Sequence, residues 1–364
     1  MARKSSRKNK KIDALTAIIA IIVVIIAVAY YYYGKKQEQN KYSLINEIFN
    51  ISNPMAADED GLSIHFIDIG QGDCIFVDFP DGKSMLIDSG DRGKGDIVVD
   101  YLKDLGVSEI TLVIATHTDA DHIGGMVEVF ESFKIQFCLR PFVYYNGDDK
   151  SMFDPSFNVE SQADKKKNCS TATYRNFLSA ILNENCGYDY FNMDTDFTQA
   201  FTYLGGSYEY SLDFLTPIKD APQIGYSDPN DYSPYMVLSY KDFSIMFTGD
   251  AESVAEAELM SAYANLPDVD VLKVGHHGSA TSTSLDFLYK VSPEYSVIMC
   301  GVANKYQHPR QEVLDRLIGV GSEIRRTDLN GNIVLKVDGN GEYSFNCQKH
   351  ADPADLITGF EGVE

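Results

Sequence analysis

One junction limits this chain more than any other part of it. The β-branched run Ile110 to Ala115 breaks into Thr116-His117-Thr118-Asp119-Ala120-Asp121-His122-Ile123-Gly124-Gly125. Two imidazoles and two carboxylates within six residues, at the end of a strand and closed by glycines, form the kind of turn that grips a first-row divalent metal. A solvated polar loop is the bland alternative. A metal there needs further ligands from distant loops, and two strand ends offer them: Thr248-Gly249-Asp250 and His276-His277-Gly278-Ser279. Taken alone, Asp250 reads as a cap for the helix that starts at Ser253. In the company of the His/Asp cluster it reads as a ligand.

The rest of the chain alternates short apolar runs with helical spacing. Leu62 to Ile69, Cys74 to Phe79 and Ser84 to Ile87 read as strands separated by Gly70-Gln71-Gly72 and Pro80-Asp81-Gly82. Ile97 to Leu105 has helical periodicity, 126–137 and 172–186 read as helical, and 187–211 reads as irregular or hairpin. Further strands are expected at 213–215, 236–240, 244–248, 271–274, 295–299, 333–337 and 343–345, with helices at 253–264, 284–291 and 310–319. This order implies layered sheets covered by helices in one domain of about 300 residues.

Charge divides the chain. The first 41 residues hold nine Lys/Arg and two Asp/Glu, which leaves 22 basic and 51 acidic residues in 42–364, a net charge of −29. Such a surface argues against coating long duplex DNA by counterion release, while short or single-stranded nucleic acid stays open. Ahead of it, the basic stretch Arg3 to Lys11 precedes an apolar run from Ala14 to Tyr33, which at ~1.5 Å per helical residue spans roughly 30 Å. The expected organisation is a cytoplasmic basic tail (1–11), a transmembrane signal-anchor (12–33), a polar tether (34–60), a catalytic domain (61–348) and a tail (349–364). The positive-inside bias places the N-terminus in the cytoplasm and the domain outside. The rival readings are a cleaved signal peptide, with Ala27-Val28-Ala29 as the cleavage signal, which would make the protein secreted, and a buried soluble helix. The six cysteines show no CxxC spacing; Cys169 and Cys186 flank a short polar-to-helical segment and could pair, the sequence gives no connectivity, and the other four sit in apolar runs that suit buried thiols equally.

The motifs together resemble the metallo-β-lactamase fold, in its ComEC-type branch of competence-protein hydrolase domains. They are His65-Phe66-Ile67-Asp68-Ile69-Gly70-Gln71-Gly72-Asp73, Leu86-Ile87-Asp88-Ser89-Gly90, the cluster His117 to Gly125, Phe247 to Glu252, Leu272 to Ser279, His308-Pro309 and Arg326-Thr327-Asp328. The resemblance covers 62 to about 340 except the variable stretch 138–211. It implies an α/β fold, an αββα sandwich of two mixed sheets, with metals at the rim where strand-end loops converge. It further implies that His117 and Asp119 hold one metal, Asp121 and His122 the second, that Asp250 bridges and that His277 completes the second site. His276 would face the substrate as proton donor or phosphate contact, because neighbours on a strand end point in opposite directions, although the two histidines could exchange roles. His276 and Asp121 are the candidate catalytic residues. Asp68 and Asp88 are expected to be orienting or structural carboxylates, Asp73 a turn residue near the rim, and Lys305 and Arg310 ordinary surface cations. The family's usual form has His at Asp119 and one more histidine near Asp231 to Met236, so the first site is rich in oxygen; Mn²⁺ or Fe²⁺ then joins Zn²⁺ as a candidate.

The function expected is a metallo-hydrolase using two divalent ions, Zn²⁺ or Mn²⁺. It would act outside the membrane as a phosphodiesterase on a small phosphodiester or a cell-surface polymer. The alternatives are an ester, lactone or β-lactam hydrolase on the same fold, and a membrane-tethered binding module on a decayed site. Tyrosines of 138–211 (Tyr144, Tyr145, Tyr174, Tyr188, Tyr190, Tyr203, Tyr208) either pack an accessory element or wall a pocket for a cationic head group. The single apolar run predicts that residues 42–364, expressed alone, fold and stay in solution without detergent; partition into membranes would contradict a single anchor.

Overall fold

The computed structural model describes residues 61–141, 171–184, 186–191, 210–218 and 226–360. The apolar run 14–33 and the tether lie outside them, and among the described residues no helix is long and apolar enough to cross a membrane. In chain order the strands are β1 (Leu62–Phe66), β2 (Ile75–Asp78), β3 (Ser84–Ile87), β4 (Glu109–Ile114), β5 (Lys134–Arg140), β6 (Gly187–Tyr190), β7 (Tyr210–Phe214), β8 (Met236–Tyr240), β9 (Phe243–Phe247), β10 (Val271–Lys273), β11 (Tyr295–Ile298), β12 (Glu323–Arg326), β13 (Ile333–Val337) and β14 (Tyr343–Cys347). They form two mixed sheets, one ordered β14-β13-β1-β2-β3-β4-β5-β6 and the other β12-β11-β10-β9-β8-β7.

Alternation along each strand explains the layers. Phe76, Leu86, Val113 and Cys138 pack with residues of α1 (Gly95–Asp104), α2 (Met126–Ser132) and α3 (Ala172–Glu184) on one outer face. Val237, Met246, Leu272, Ile298 and Ile324 pack with α4 (Ser253–Ala262), α5 (Leu285–Val291) and α6 (Gln311–Gly319) on the other. The alternate residues Ile75, Val77, Met85, Ile87, Leu112 and Ile114 of the first sheet and Leu238, Ile245, Phe247 and Val271 of the second are equally buried. Rings join the sheets directly: Phe79 stacks on Tyr210 at 4.4 Å and Phe243 meets Tyr343 at 5.2 Å between centroids. The α/β sandwich expected from the motifs is therefore present.

Several expected elements change. The helix read over 126–137 stops at Ser132, and Lys134–Arg140 is instead a strand parallel to β4. Its apolar residues Ile135, Phe137 and Leu139 alternate, a period of two hidden behind the helical start. Residues 187–190 form the parallel edge strand β6 rather than a hairpin, and β12 had no sequence signal because Glu323, Arg325 and Arg326 dilute its single apolar residue. Cys186 carries a free thiol, while Cys169 lies outside the described residues.

Of the tyrosines of 138–211, Tyr174, Tyr188 and Tyr190 are described. Tyr174 is buried and accepts from the Arg140 guanidinium, which also bonds the Tyr190 hydroxyl and lies 4.4 Å from that ring's centroid. Arg140 thus takes the cation position on Tyr190 that a head group would need, so these two tyrosines pack rather than wall a pocket. Tyr144, Tyr145, Tyr203 and Tyr208 lie outside the described residues.

His65 on β1 sits against the Tyr101 hydroxyl at 2.9 Å, and burial, aided by the Lys336 charge, lowers its pKa from the ordinary value to about 4. The folded chain therefore refuses a proton that the unfolded chain binds below pH ~6.5, so this contribution is complete above that pH and lost as pH falls toward 4. In chelator-treated protein, His65→Phe should flatten the fall of unfolding free energy between pH 6.5 and 4 by at most about 3 kcal/mol; an unchanged slope would contradict the assignment.

Candidate metal centre

The site forms where β3, β4, β9 and β10 end at one rim, and its innermost layer is a set of carboxylates that hold imidazoles in place. Asp88, one residue past β3, accepts from the Thr116 backbone N–H at 2.8 Å and the Thr116 hydroxyl at 2.6 Å. The same carboxylate meets His122 Nδ1 at 2.8 Å. A carboxylate there assigns the proton to Nδ1 and turns the Nε2 lone pair into the site. His277 is held the same way from behind: its Nδ1 lies 2.9 Å from the Met299 carbonyl and 3.3 Å from Asp73. Asp73 also pairs at 2.9 Å with Lys273 Nζ, a fully buried ammonium that also donates to the Val274 carbonyl.

In front of these supports the donor atoms converge. His122 Nε2 and His277 Nε2 are 3.3 Å apart, and Asp250 Oδ2 lies 3.1 Å from the first and 3.2 Å from the second. Asp121 Oδ2 lies 3.4 Å from His277 Nε2. Among the described residues, Asp73, His122, Asp250 and His277 each bring a ligand atom within 4.8 Å of the others. Asp73 belongs to this group by distance, but it occupies the Nδ1 side of His277 and its charge is met by Lys273, so it orients the ring. Asp73 is thus more than the turn residue expected from Gly-Gln-Gly-Asp. Gly72 before it has φ +122, and a Cβ there would lie 2.1 Å from the Asp121 carbonyl, which is how the two loops come into contact.

His117 completes the inner wall. Its ring centroid is 4.1 Å from that of His122, and its Nδ1 lies 3.1 Å from the Thr116 hydroxyl and 3.3 Å from the Ser233 hydroxyl. Burial, reinforced by the His122 charge, lowers its pKa to about 3, so the ring is neutral at physiological pH. His117 Nε2 and Asp250 Oδ1 are both buried without a hydrogen-bond partner. Asp119 heads the one-turn helix Ala120–Ile123 without capping it, and burial together with the Asp121 charge raises its pKa. Burial alone would depress His122 and His277 and raise Asp250. The mutual attraction overrides it, raising both imidazoles well above the ordinary range and holding Asp250 well below. A buried pocket of carboxylates that draws positive charge, with the lone-pair atoms His117 Nε2 and Asp250 Oδ1 left without a partner, fits a metal cation.

The structure corrects the expectation that His276 and His277 point apart. They lie not on a strand end but in the 3-10 turn Gly275–Gly278, with φ of 45° and 55°. Both rings reach Asp250, His276 Nε2 at 3.7 Å, and His276 Nδ1 lies 2.9 Å from Glu252 Oε1. His276 is the more exposed of the two and is packed 5.4 Å from the buried ring of His308. Burial and the His277 charge lower the His308 pKa to about 4. His65 and Asp68 lie apart from the cluster: Asp68 accepts the Gly70 N–H and His65 bonds Tyr101. Arg310 bonds Gln307.

Asp250 does not cap the helix that follows it. Asp231 does, accepting from the backbone N–H of Glu252 and Ala255 at 3.2 Å each. Ser233, two residues on, accepts from the Asp250 N–H and touches His117. Neither role was read from the sequence, where Asp231 and Ser233 sit in the polar stretch Asp228-Pro229-Asn230-Asp231-Tyr232-Ser233-Pro234 before β8.

The metallo-beta-lactamase superfamily model matches residues 67–302, well over half the chain. The chain belongs to that superfamily. It is similar to ComE operon protein 3 of Bacillus subtilis, 29% identical over 310 residues that cover 80% of this chain and 35% of that protein. It is also similar to Competence protein ComA of Neisseria gonorrhoeae, 43% identical over 113 residues that cover 29% of this chain and 16% of that protein. Recombination protein 2 of Haemophilus influenzae is 26% identical over 272 residues, covering 73% of this chain and 28% of the other. The chain spans about a third or less of the length of these relatives, and its superfamily domain is a distant homologue of the ComEC type. Because Asp73 holds His277 from behind, Asp73→Asn should weaken divalent-metal binding about 10- to 100-fold in equilibrium dialysis; unchanged affinity would contradict its orienting role.

Proposed function

We propose that this chain is a metal-dependent phosphodiesterase whose water nucleophile is activated between His117, Asp119, Asp121, His122, Asp250 and His277. The observation that carries the reading is the convergence of His122 Nε2, His277 Nε2 and Asp250 Oδ2 within 3.3 Å of one another. The orphaned His117 Nε2 and Asp250 Oδ1 beside them support it. In the proposal His117 and Asp119 would hold one ion, Asp121, His122 and His277 the other, with Asp250 as a further ligand. Divalent ions so held, Zn²⁺ or Mn²⁺, would supply Lewis acidity at a phosphoryl oxygen and would bring the pKa of water toward neutrality.

The chain's own groups divide the remaining work. Asp88 and Asp73 fix the two imidazoles by their Nδ1 atoms, so the rings do not turn as charge develops. His276, partly exposed and held by Glu252, presents an imidazole at the edge of the cluster where it can give a proton to the leaving oxygen. The carboxylate-rich donor set suits hard divalent ions, whose charge would attract an anionic phosphoryl group. A lactone or β-lactam substrate remains the second reading on the same fold, and the −29 charge of residues 42–364 favours a short or small diester over duplex DNA. With the N-terminal run as anchor, the domain would meet that substrate outside the membrane.

The test is hydrolysis of bis-p-nitrophenyl phosphate, with nitrocefin as control, in Mn²⁺ or Zn²⁺. The parent should cleave the diester. Asp250→Ala and His122→Ala should each reduce kcat by about 10³-fold or more, a loss typical of an electrostatic contact to the transition state. Undiminished turnover in either, at saturating metal, would remove the cluster from the mechanism.

A further inference from the structure

Beside the cluster lies a cleft of about 500 Å³ lined by Gln71, Asp91, Arg92, Asp121, Asn304, Lys305 and Tyr306, together with Ala120. Asp121 is shared with the metal site, so the cleft opens directly from it. In a domain where acidic residues outnumber basic ones by more than two to one, this cleft carries two cations, Arg92 and Lys305, beside two carboxylates, Asp91 and Asp121. Arg92 is anchored through Nε on the Thr173 hydroxyl at 2.7 Å, which leaves its two terminal nitrogens without a partner among the described residues. Lys305 Nζ rests 4.7 Å from the centroid of the Tyr306 ring.

The wall itself is braced. Gln71 Oε1 accepts the Gly301 N–H, and Asn304 donates to the Gly301 and His308 carbonyls while accepting the His308 N–H. The loop 301–308 is thereby fixed against the Gly70-Gln71-Gly72 turn. This leaves Gln71 Nε2 as a buried donor with no acceptor, and a buried donor without a partner costs about 1–3 kcal/mol unless something supplies one. The carboxylates of the cleft have partners of their own: Asp121 Oδ2 lies 3.4 Å from His277 Nε2, Asp91 Oδ1 takes the Arg92 backbone N–H, and both attract Lys305.

We propose that this cleft binds a second phosphate of the substrate, adjacent to the scissile diester, through Arg92, Lys305 and the Nε2 of Gln71. The inference rests on the phosphodiesterase reading and deepens it: the substrate is a chain of phosphodiesters with a phosphate beside the cleaved bond, rather than an isolated diester or a zwitterion. A guanidinium, an ammonium and an amide donor lining one cleft supply the kind of donors that a tetrahedral phosphate accepts. A nucleotide chain and a polyol phosphate chain share this chemistry.

Two measurements on the full-length chain test it. In the first, inorganic phosphate is titrated into the metal-free chain. Arg92→Gln and Lys305→Gln should each weaken binding about threefold or more, and Lys305→Arg should restore it. No binding by the parent, or equal binding by the variants, would overturn the proposal whether or not the chain is a hydrolase. In the second, KM is compared in Mn²⁺ for the thymidine dinucleotides TpT and pTpT, and for glycerol phosphate dimers with and without a terminal phosphate. The parent should prefer the phosphorylated member by about tenfold, and Arg92→Gln/Lys305→Gln should reduce that preference to about twofold or less. The backbone that shows the preference identifies the source. A preference absent from the parent, or intact in the double variant, would overturn the proposal; no turnover on any diester would instead sink the hydrolase reading and leave the phosphate titration to decide the cleft.

Discussion

Buried negative charge at the rim shared by the two sheets is the constraint around which this molecule is arranged. Asp73, Asp88 and Asp250 are almost completely removed from solvent, and a carboxylate in that position must be hydrogen-bonded and charge-compensated. Each is met by a specific answer. Asp88 takes two bonds from Thr116 and one from His122. Asp73 takes the Lys273 ammonium, which reaches across from the second sheet and so joins the two sheets at the site. Removing one partner of such a buried pair typically costs about 3–5 kcal/mol, which makes Lys273 as much a part of the architecture as the apolar layer behind it. Asp250 faces the Nε2 atoms of His122 and His277 in front and keeps Oδ1 unbonded, and it is there that a cation would complete the compensation.

Backbone strain concentrates at the same place. Asp88, His276 and His277 are non-glycine residues with φ of 58°, 45° and 55°, conformations that cost on the order of 1 kcal/mol or more each. They persist because their side chains and neighbours are fixed by Thr116, Asp73, Met299 and Glu252. The benefit is geometric. Two adjacent histidines in left-handed conformation bring both rings to one carboxylate, whereas an extended strand would separate them to opposite faces.

Much of this was legible in the sequence because metal chemistry leaves dense local marks. His117 to Gly125, Asp250 and His276-His277 sit at strand ends that the apolar runs announce, and the layered α/β architecture follows from the order of those runs. The parts that were not legible depend on partners far away in sequence. Asp73 reads as a turn acid until Lys273, 200 residues later, is seen as a charge inside a buried strand with no local partner. Asp231 and Ser233 act through backbone N–H groups of the loop after β9, which no spacing reveals. Strand β5 was lost because a real helix runs into it, and the strand alternation of the 271–274 run does not extend to His276 and His277, which lie in a turn.

The account stands on cations being held by the Nε2 atoms of His122 and His277 with Asp250. Crystals of the chain grown with Zn²⁺ or Mn²⁺ and measured on both sides of that metal's absorption edge test this directly. The account predicts an anomalous peak about 2.0–2.3 Å from both Nε2 atoms and an Asp250 oxygen, with Asp73 and Asp88 remaining on the Nδ1 sides of the rings. A fully metal-loaded crystal with no peak at this cluster, or with Asp73 ligating and Asp250 turned away, would contradict it.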